Sequence, residues 1–170
     1  MANQTSSLIG VDLSGAGGST QLFALGTMAM GDQASIWQYV QVTSTLVTGT
    51  VVNITSAGTA KVMMTAMLTG IGTGVQLGFA QNLVNQSEYA WVALHGKALY
   101  VLTSASLTAS TNDTLVGFGA KSGRLVPSTA ASVGATAFGI YILSSVITAD
   151  NTAGVPTIAT IIWPRMSQGQ

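Results

Sequence analysis

The chain of 170 residues contains no cysteine, so neither disulfides nor thiolate ligands can hold its fold or carry its chemistry. Charge is almost as scarce. Five basic residues (Lys61, Lys97, Lys121, Arg124, Arg165) face five acidic ones (Asp12, Asp32, Glu88, Asp113, Asp150), 6% in all, where an ordinary globular chain has about a quarter. The basic residues form no cluster that could neutralise a row of phosphates, so a nucleic-acid partner is not expected. There is one histidine, His95. A metal site needs three or four converging His, Cys or carboxylate groups, and the paired carboxylates of glycoside chemistry need two acids together. With the acids scattered along the sequence, no metal, cofactor or catalytic residue is expected, and the chain is read as a non-enzyme.

Mean hydropathy is positive, +0.51, and two stretches, 62–87 and 125–149, carry no charge. Thr, Ser, Gly, Asn, Gln or Pro interrupts both, and neither has the run of about 18 apolar residues that a spanning helix requires. No membrane partner is expected. The opening residues lack a basic and an apolar region of signal-peptide type, so synthesis in the cytoplasm is the expectation, and the sequons at Asn3, Asn53, Asn85 and Asn112 carry little weight.

Thr and Val are plentiful, whereas Glu, Lys and Arg, which usually fill helix surfaces, are few. A chain of this length can bury roughly two-thirds of its unfolded surface, enough for a core without staples. Residues 1–20, rich in Ser and Gly, read as a flexible, extended N-terminal arm. Residues 21–170 read as one all-β domain, an antiparallel β-sandwich or β-barrel of jelly-roll or tulip-like type.

In Ile36-Trp37-Gln38-Tyr39-Val40-Gln41-Val42, alternation places Trp37 and Tyr39 on one face and Ile36, Val40 and Val42 on the other, so both faces should be covered. Hairpins are expected between 51–54 and 61–64, between 115–119 and 124–126, and between 137–147 and 155–163. A further hairpin is expected between 88–94 and 98–102, with His95-Gly96-Lys97 at its tip. One short helix is expected in 128–134, and no tandem repeat is evident beyond the recurrence of glycine hairpins.

Four groups invite a chemical reading. A catalytic triad would need His95 with a serine and one of Asp12, Asp32, Asp113 or Asp150, but no Gly-x-Ser-x-Gly elbow accompanies it and a surface turn fits better. Gly70-Ile71-Gly72-Thr73-Gly74 is followed by a strand-like run, 75–80, where a phosphate loop would open a helix, so it reads as a turn. Trp37, Tyr39, Tyr89, Trp91 and Trp163 could form a stacking platform for sugars or anchor an interface, with core packing as the ordinary alternative. Tyr89, Trp91, Asn85 and Glu88 are the best local group for a glycan.

The segments Phe23-Ala24-Leu25-Gly26-Thr27, Gly31-Asp32 and Trp37-Gln38-Tyr39-Val40, followed by Leu77-Gly78-Phe79-Ala80 and Tyr89-Ala90-Trp91-Val92-Ala93-Leu94-His95-Gly96, resemble small structural proteins of tailed-phage virions. The resemblance covers about half the chain, residues 23–96, and its Gly and aromatic positions carry no unique chemistry. It implies a capsid decoration, or head cement, protein on the virion exterior, bound to the major capsid protein and often a homotrimer, with no catalytic residue to carry over. Low charge fits such a role, because little of the binding would be screened by salt. Two other readings stay open: a receptor- or glycan-binding module of a phage tail or fibre, and a shell subunit in its own right.

Overall fold

The computed structural model describes residues 12, 13, 15–64, 76–103, 116–118, 123–127, 135–142 and 155–168. It is all-β. Its strands are β1 (Met28–Met30), β2 (Ile36–Val42), β3 (Val51–Ile54), β4 (Thr59–Val62), β5 (Gln76–Ala80), β6 (Tyr89–Thr103), β7 (Val116–Phe118), β8 (Leu125–Pro127), β9 (Ala135–Ile142) and β10 (Val155–Gln168), with one 3-10 turn at Asp32–Ala34. The loop 70–74 and the helix expected in 128–134 lie outside the described residues.

The pairings close two rings. In the first, β2 pairs with β4, β4 with β3, β3 with β5, β5 with β6, and β6 again with β2. In the second, β6 pairs with β8, β8 with β7, β7 with β9, β9 with β10, and β10 again with β6. Strand for strand the two circuits are the same, and β6 belongs to both. Of the sandwich and barrel forms open to the sequence, ring closure corresponds to the barrel, which leaves few exposed edges.

Two pairings are parallel, β2 with β4 and β6 with β8, where antiparallel neighbours were expected throughout. Each arises in the same way. A hairpin, β3–β4 or β7–β8, swings round so that its second strand lies beside the strand that opened the ring. The hairpin turns also match: Gly58 has φ +76° and Gly123 φ +72°, a backbone region that glycine enters without steric cost. The structure therefore contains a repeat that sequence inspection did not reveal.

The continuity of β6 corrects one expectation. His95-Gly96-Lys97 is not a hairpin tip but an interior stretch of a 15-residue strand. Ile36 pairs with His95 in the first ring, and Ile161 pairs with Gly96 in the second. Between the pairs Ile161↔Gly96 and Ala159↔Leu99, Lys97 and Ala98 oppose Thr160 alone, a bulge that redirects the strand from one ring to the next. Gly96 has φ +144°, and a Cβ there would stand 2.7 Å from Cβ of Ser35. The glycine read as a turn residue instead permits a bulge and a close approach to the chain before β2.

Along β2 the expected alternation is present. Val40 and Val42 join Val52, Ile54, Ala60, Ala80, Ala90, Val92 and Leu94 inside the first ring. Leu46 and Val84 belong to the same cluster and exchange backbone hydrogen bonds of 2.8 and 3.0 Å. Trp37 and Tyr39 point the other way, into a second cluster that includes Phe79 and Trp91 and continues to Leu99, Val101, Leu125, Ile140, Ala159 and Ile161 of the second ring. Burial of each Val, Leu or Ile side chain contributes about 1.5–3 kcal/mol, so this continuous cluster couples the rings energetically. Within the stretch read as an arm, Leu13 is buried in that cluster and Gly18 exchanges backbone hydrogen bonds of 3.0 and 2.8 Å with Tyr89.

Candidate binding surfaces

The aromatic residues separate into an interior group and an exposed one. Trp37 is fully buried, and its Nε1 donates to Oγ of Ser35 at 2.9 Å, so the indole is satisfied without any ligand. Tyr39 lies with Phe23 and Trp91 at ring-centroid distances of 5.2 to 5.3 Å and stacks on Tyr89 at 6.2 Å. These are the offset and edge-on distances that aromatic quadrupoles favour. The Tyr39 hydroxyl accepts a hydrogen bond from the Leu22 N–H at 3.1 Å, tying the N-terminal segment onto the outside of the first ring.

A cleft of about 480 Å³ opens beside this cluster, lined among others by Asp12, Thr20, Phe23, Tyr89 and Trp91. Its size suits a small ligand. Its stacking faces are limited, however, because Tyr39 and Trp91 are 3% and 9% exposed and only Tyr89 and Phe23 are half-buried. The polar members of the glycan group are turned to another use. Glu88 accepts hydrogen bonds from the Asn85 backbone N–H at 2.7 Å and from Asn85 Nδ2 at 3.2 Å, closing the turn before β6. The structure thus brings Tyr89 and Trp91 to the cleft while Asn85 and Glu88 bond to each other.

Trp163 is the exception among the five aromatic candidates, 48% exposed. On β10, Ile161 pairs with Ile140 and Arg165 with Phe138, so Ile162, Trp163 and Pro164 stand opposite Gly139 alone. Proline has no N–H to give the ladder, which favours an irregularity at this point. Trp163 takes φ +42° there, a conformation unusual for a bulky side chain. Its ring lies 5.6 Å from that of His95, tilted by 31°. His95 is half-buried, and its Nδ1 finds no hydrogen-bond partner among the described residues.

Beside Trp163 runs an apolar row that sequence reasoning missed. Ile158, Ile162 and Tyr100 are 42%, 46% and 43% exposed, and Ile158 sits directly opposite Tyr100. Ala159 and Ile161, which alternate with them, are fully buried. Since inward and outward positions are both apolar, hydropathy alone could not tell which face of β10 is covered. A hydrogen-bonded amide supports the row from the far side of β6: Gln81 Oε1 accepts from the Tyr100 N–H at 2.8 Å, and Gln81 Nε2 donates to the Tyr100 carbonyl at 3.0 Å. In this way a side chain substitutes for a neighbouring strand.

Among the described residues, no three His, Asp or Glu side chains converge as metal ligands, and no helix is long and apolar enough to cross a membrane. What the fold defines is an all-β protein of two strand-sharing barrels, with a small aromatic cleft on the first and a bare apolar face on the second. No family model, curated protein or solved structure matches the chain.

Proposed function

We propose that this chain is a structural virion protein that decorates and stabilises the outside of a tailed-phage capsid by binding the major capsid protein, acting as a homo-oligomer, a trimer by family resemblance. On this reading it is made in the host cytoplasm and resides on the virion exterior. The observation that carries the reading is the character of the surface. In a chain with ten charged residues, ten large apolar side chains stand exposed among the described residues, from Leu22 on the N-terminal segment to Trp163 on β10. Sparse charge gives copies little mutual repulsion, and clustered exposed apolar groups favour association. The resemblance over residues 23–96 supplies the capsid as the partner. The test is cosedimentation of the purified protein with phage heads that lack it. Saturable binding that raises the temperature at which the heads open supports decoration, whereas protein left in the supernatant at every concentration refutes it.

The cleft beside Tyr89 favours a second reading, a receptor- or glycan-binding module of a tail or fibre. It predicts a hit on a broad glycan array that is lost in Tyr89→Ala. An array without any hit removes it.

A further inference from the structure

We propose that the cleft beside Tyr89 binds an organic cation of the quaternary ammonium class, the trimethylammonium head of choline being its simplest form. This rests on the second reading above only in taking the cleft as a binding site, and it does not depend on a capsid.

β2 and β6 aim their rings at one place. Gln41 pairs with Tyr89 and Tyr39 with Trp91, so alternation sets Tyr39, Tyr89 and Trp91 on the same outer face of the first ring. The N-terminal segment is laid across that face by the backbone hydrogen bonds between Gly18 and Tyr89 and by the bond from the Leu22 N–H to the Tyr39 hydroxyl. It adds Phe23, whose ring lies 5.3 Å from those of both Tyr39 and Trp91. Rings from three parts of the chain thereby meet at the cleft of about 480 Å³.

Charge then selects the ligand. Among the described residues, the lining of the cleft includes one carboxylate, that of Asp12, and no Lys, Arg or His. A second acid stands against the same segment: a Cβ at Gly15 would lie 3.0 Å from Oδ2 of Asp12, and one at Gly17 would lie 2.9 Å from Oε2 of Glu88. Two of the five acids in the chain are thus gathered along the segment that walls the cleft. The ring faces, negative by their quadrupoles, favour a positive charge in the same place.

The kind of cation follows from what the walls supply. A hard metal ion needs six or so oxygen ligands, and among the described residues no three His, Asp or Glu side chains converge. A primary ammonium brings three N–H donors that need acceptors, while the Tyr39 hydroxyl already accepts from the Leu22 N–H and the Tyr89 hydroxyl from Gln41 Nε2 at 3.4 Å. A quaternary ammonium has no N–H to satisfy. It is compact and sheathed in methyl groups, so the partial faces of half-buried Phe23 and Tyr89, with the edge of Trp91, can hold it together, where a sugar needs one whole ring face.

The test is titration of the full-length protein, followed by NMR, with choline and with its neutral isostere, in which carbon replaces the nitrogen. Choline is expected to bind saturably, and the isostere about tenfold more weakly, the ratio that a partly desolvated cation–π contact gives. Asp12→Asn, at an exposed residue, should weaken choline several-fold, by less as salt is raised. Tyr89→Leu keeps an apolar wall but removes the quadrupole, so it should weaken choline about fivefold and leave the isostere unchanged. Trp163→Leu, outside the lining, should change neither. No saturable binding of choline up to about 10 mM, an isostere that binds as well as choline, or choline binding that survives both Asp12→Asn and Tyr89→Leu overturns the proposal. Phosphatidylcholine vesicles then distinguish the source. Cosedimentation that Tyr89→Leu abolishes assigns the cation to a lipid headgroup, and vesicles ignored by a protein that binds choline assign it to a soluble molecule. The two readings of the cleft fail separately: an array hit lost in Tyr89→Ala, with choline unbound, overturns the cation and leaves the glycan, and choline bound beside an empty array does the reverse.

Discussion

Replacing Gly96 by alanine puts a methyl carbon 2.7 Å from Cβ of Ser35, 3.1 Å from its Cα and 3.2 Å from Cδ1 of Leu99, on a backbone with φ +144°. Two costs combine. A non-glycine residue held in that region costs about 1–3 kcal/mol, and forcing a methyl group into a packed site costs about another 1–3 kcal/mol. Ser35 cannot retreat freely, because its Oγ accepts the Trp37 Nε1 hydrogen bond inside the core. The expected loss is about 2–6 kcal/mol, which for a chain of this size lowers the melting temperature by roughly 4–24 °C. Urea denaturation followed by circular dichroism measures it, with Gly18→Ala as the control, since a Cβ at Gly18 meets nothing within 4 Å. If Gly96→Ala shifts the stability by less than about 1 kcal/mol, the order expected of an unclashed glycine replacement, then β6 does not pass Ser35 as described and the strand-sharing arrangement is wrong.

The matched turns give a second prediction. Gly58→Ala and Gly123→Ala should each destabilise by about 1–3 kcal/mol, because both residues have positive φ and a Cβ would lie 2.6 Å from Leu25 Cβ in one case and 2.8 Å from Thr50 Cγ2 in the other; denaturant midpoints that move in only one variant would break the equivalence of the two hairpins. A third concerns cooperativity. Ile54→Ala inside the first ring and Ile161→Ala inside the second should each cost about 2–5 kcal/mol and shift one common unfolding transition, whereas a calorimetric trace that splits in two would show that the shared strand does not couple the rings.

How much of this was legible in the sequence depended on how local the governing interaction is. The alternation in β2 and the β3–β4, β7–β8 and β9–β10 pairings could be read because period-two patterning and short glycine turns are local signals. The hairpin placed at His95-Gly96-Lys97 failed because glycine serves a turn and a bulge equally well. What decides between them is that β2 waits beside residues 89–95 and β10 beside 96–103, a tertiary fact. The repeat was hidden for a related reason: the equivalent strands share pairing partners and turn glycines but few residue identities, Tyr39-Val40 and Tyr100-Val101 being an exception. The aromatic group was legible as a list and not as a site. Burial divided it, leaving Trp163 outside and sending Trp37, Tyr39 and Trp91 to the core.

The use of one strand circuit twice bears directly on why so little charge is present. A barrel closed by pairing has few edges to protect, so it does not need the charged edge residues by which open sheets avoid one another. Its outer faces then become the surfaces through which it can associate. In the first ring the chain covers such a face with its own N-terminal segment, and Tyr39, Trp91 and Phe23 pack there as they would in any core. In the second ring no described segment covers the equivalent pair, yet Tyr100 and Ile158 stand there, where solvent exposure alone would favour Lys, Glu or Thr. Contacts made by such uncharged side chains are little screened as salt varies.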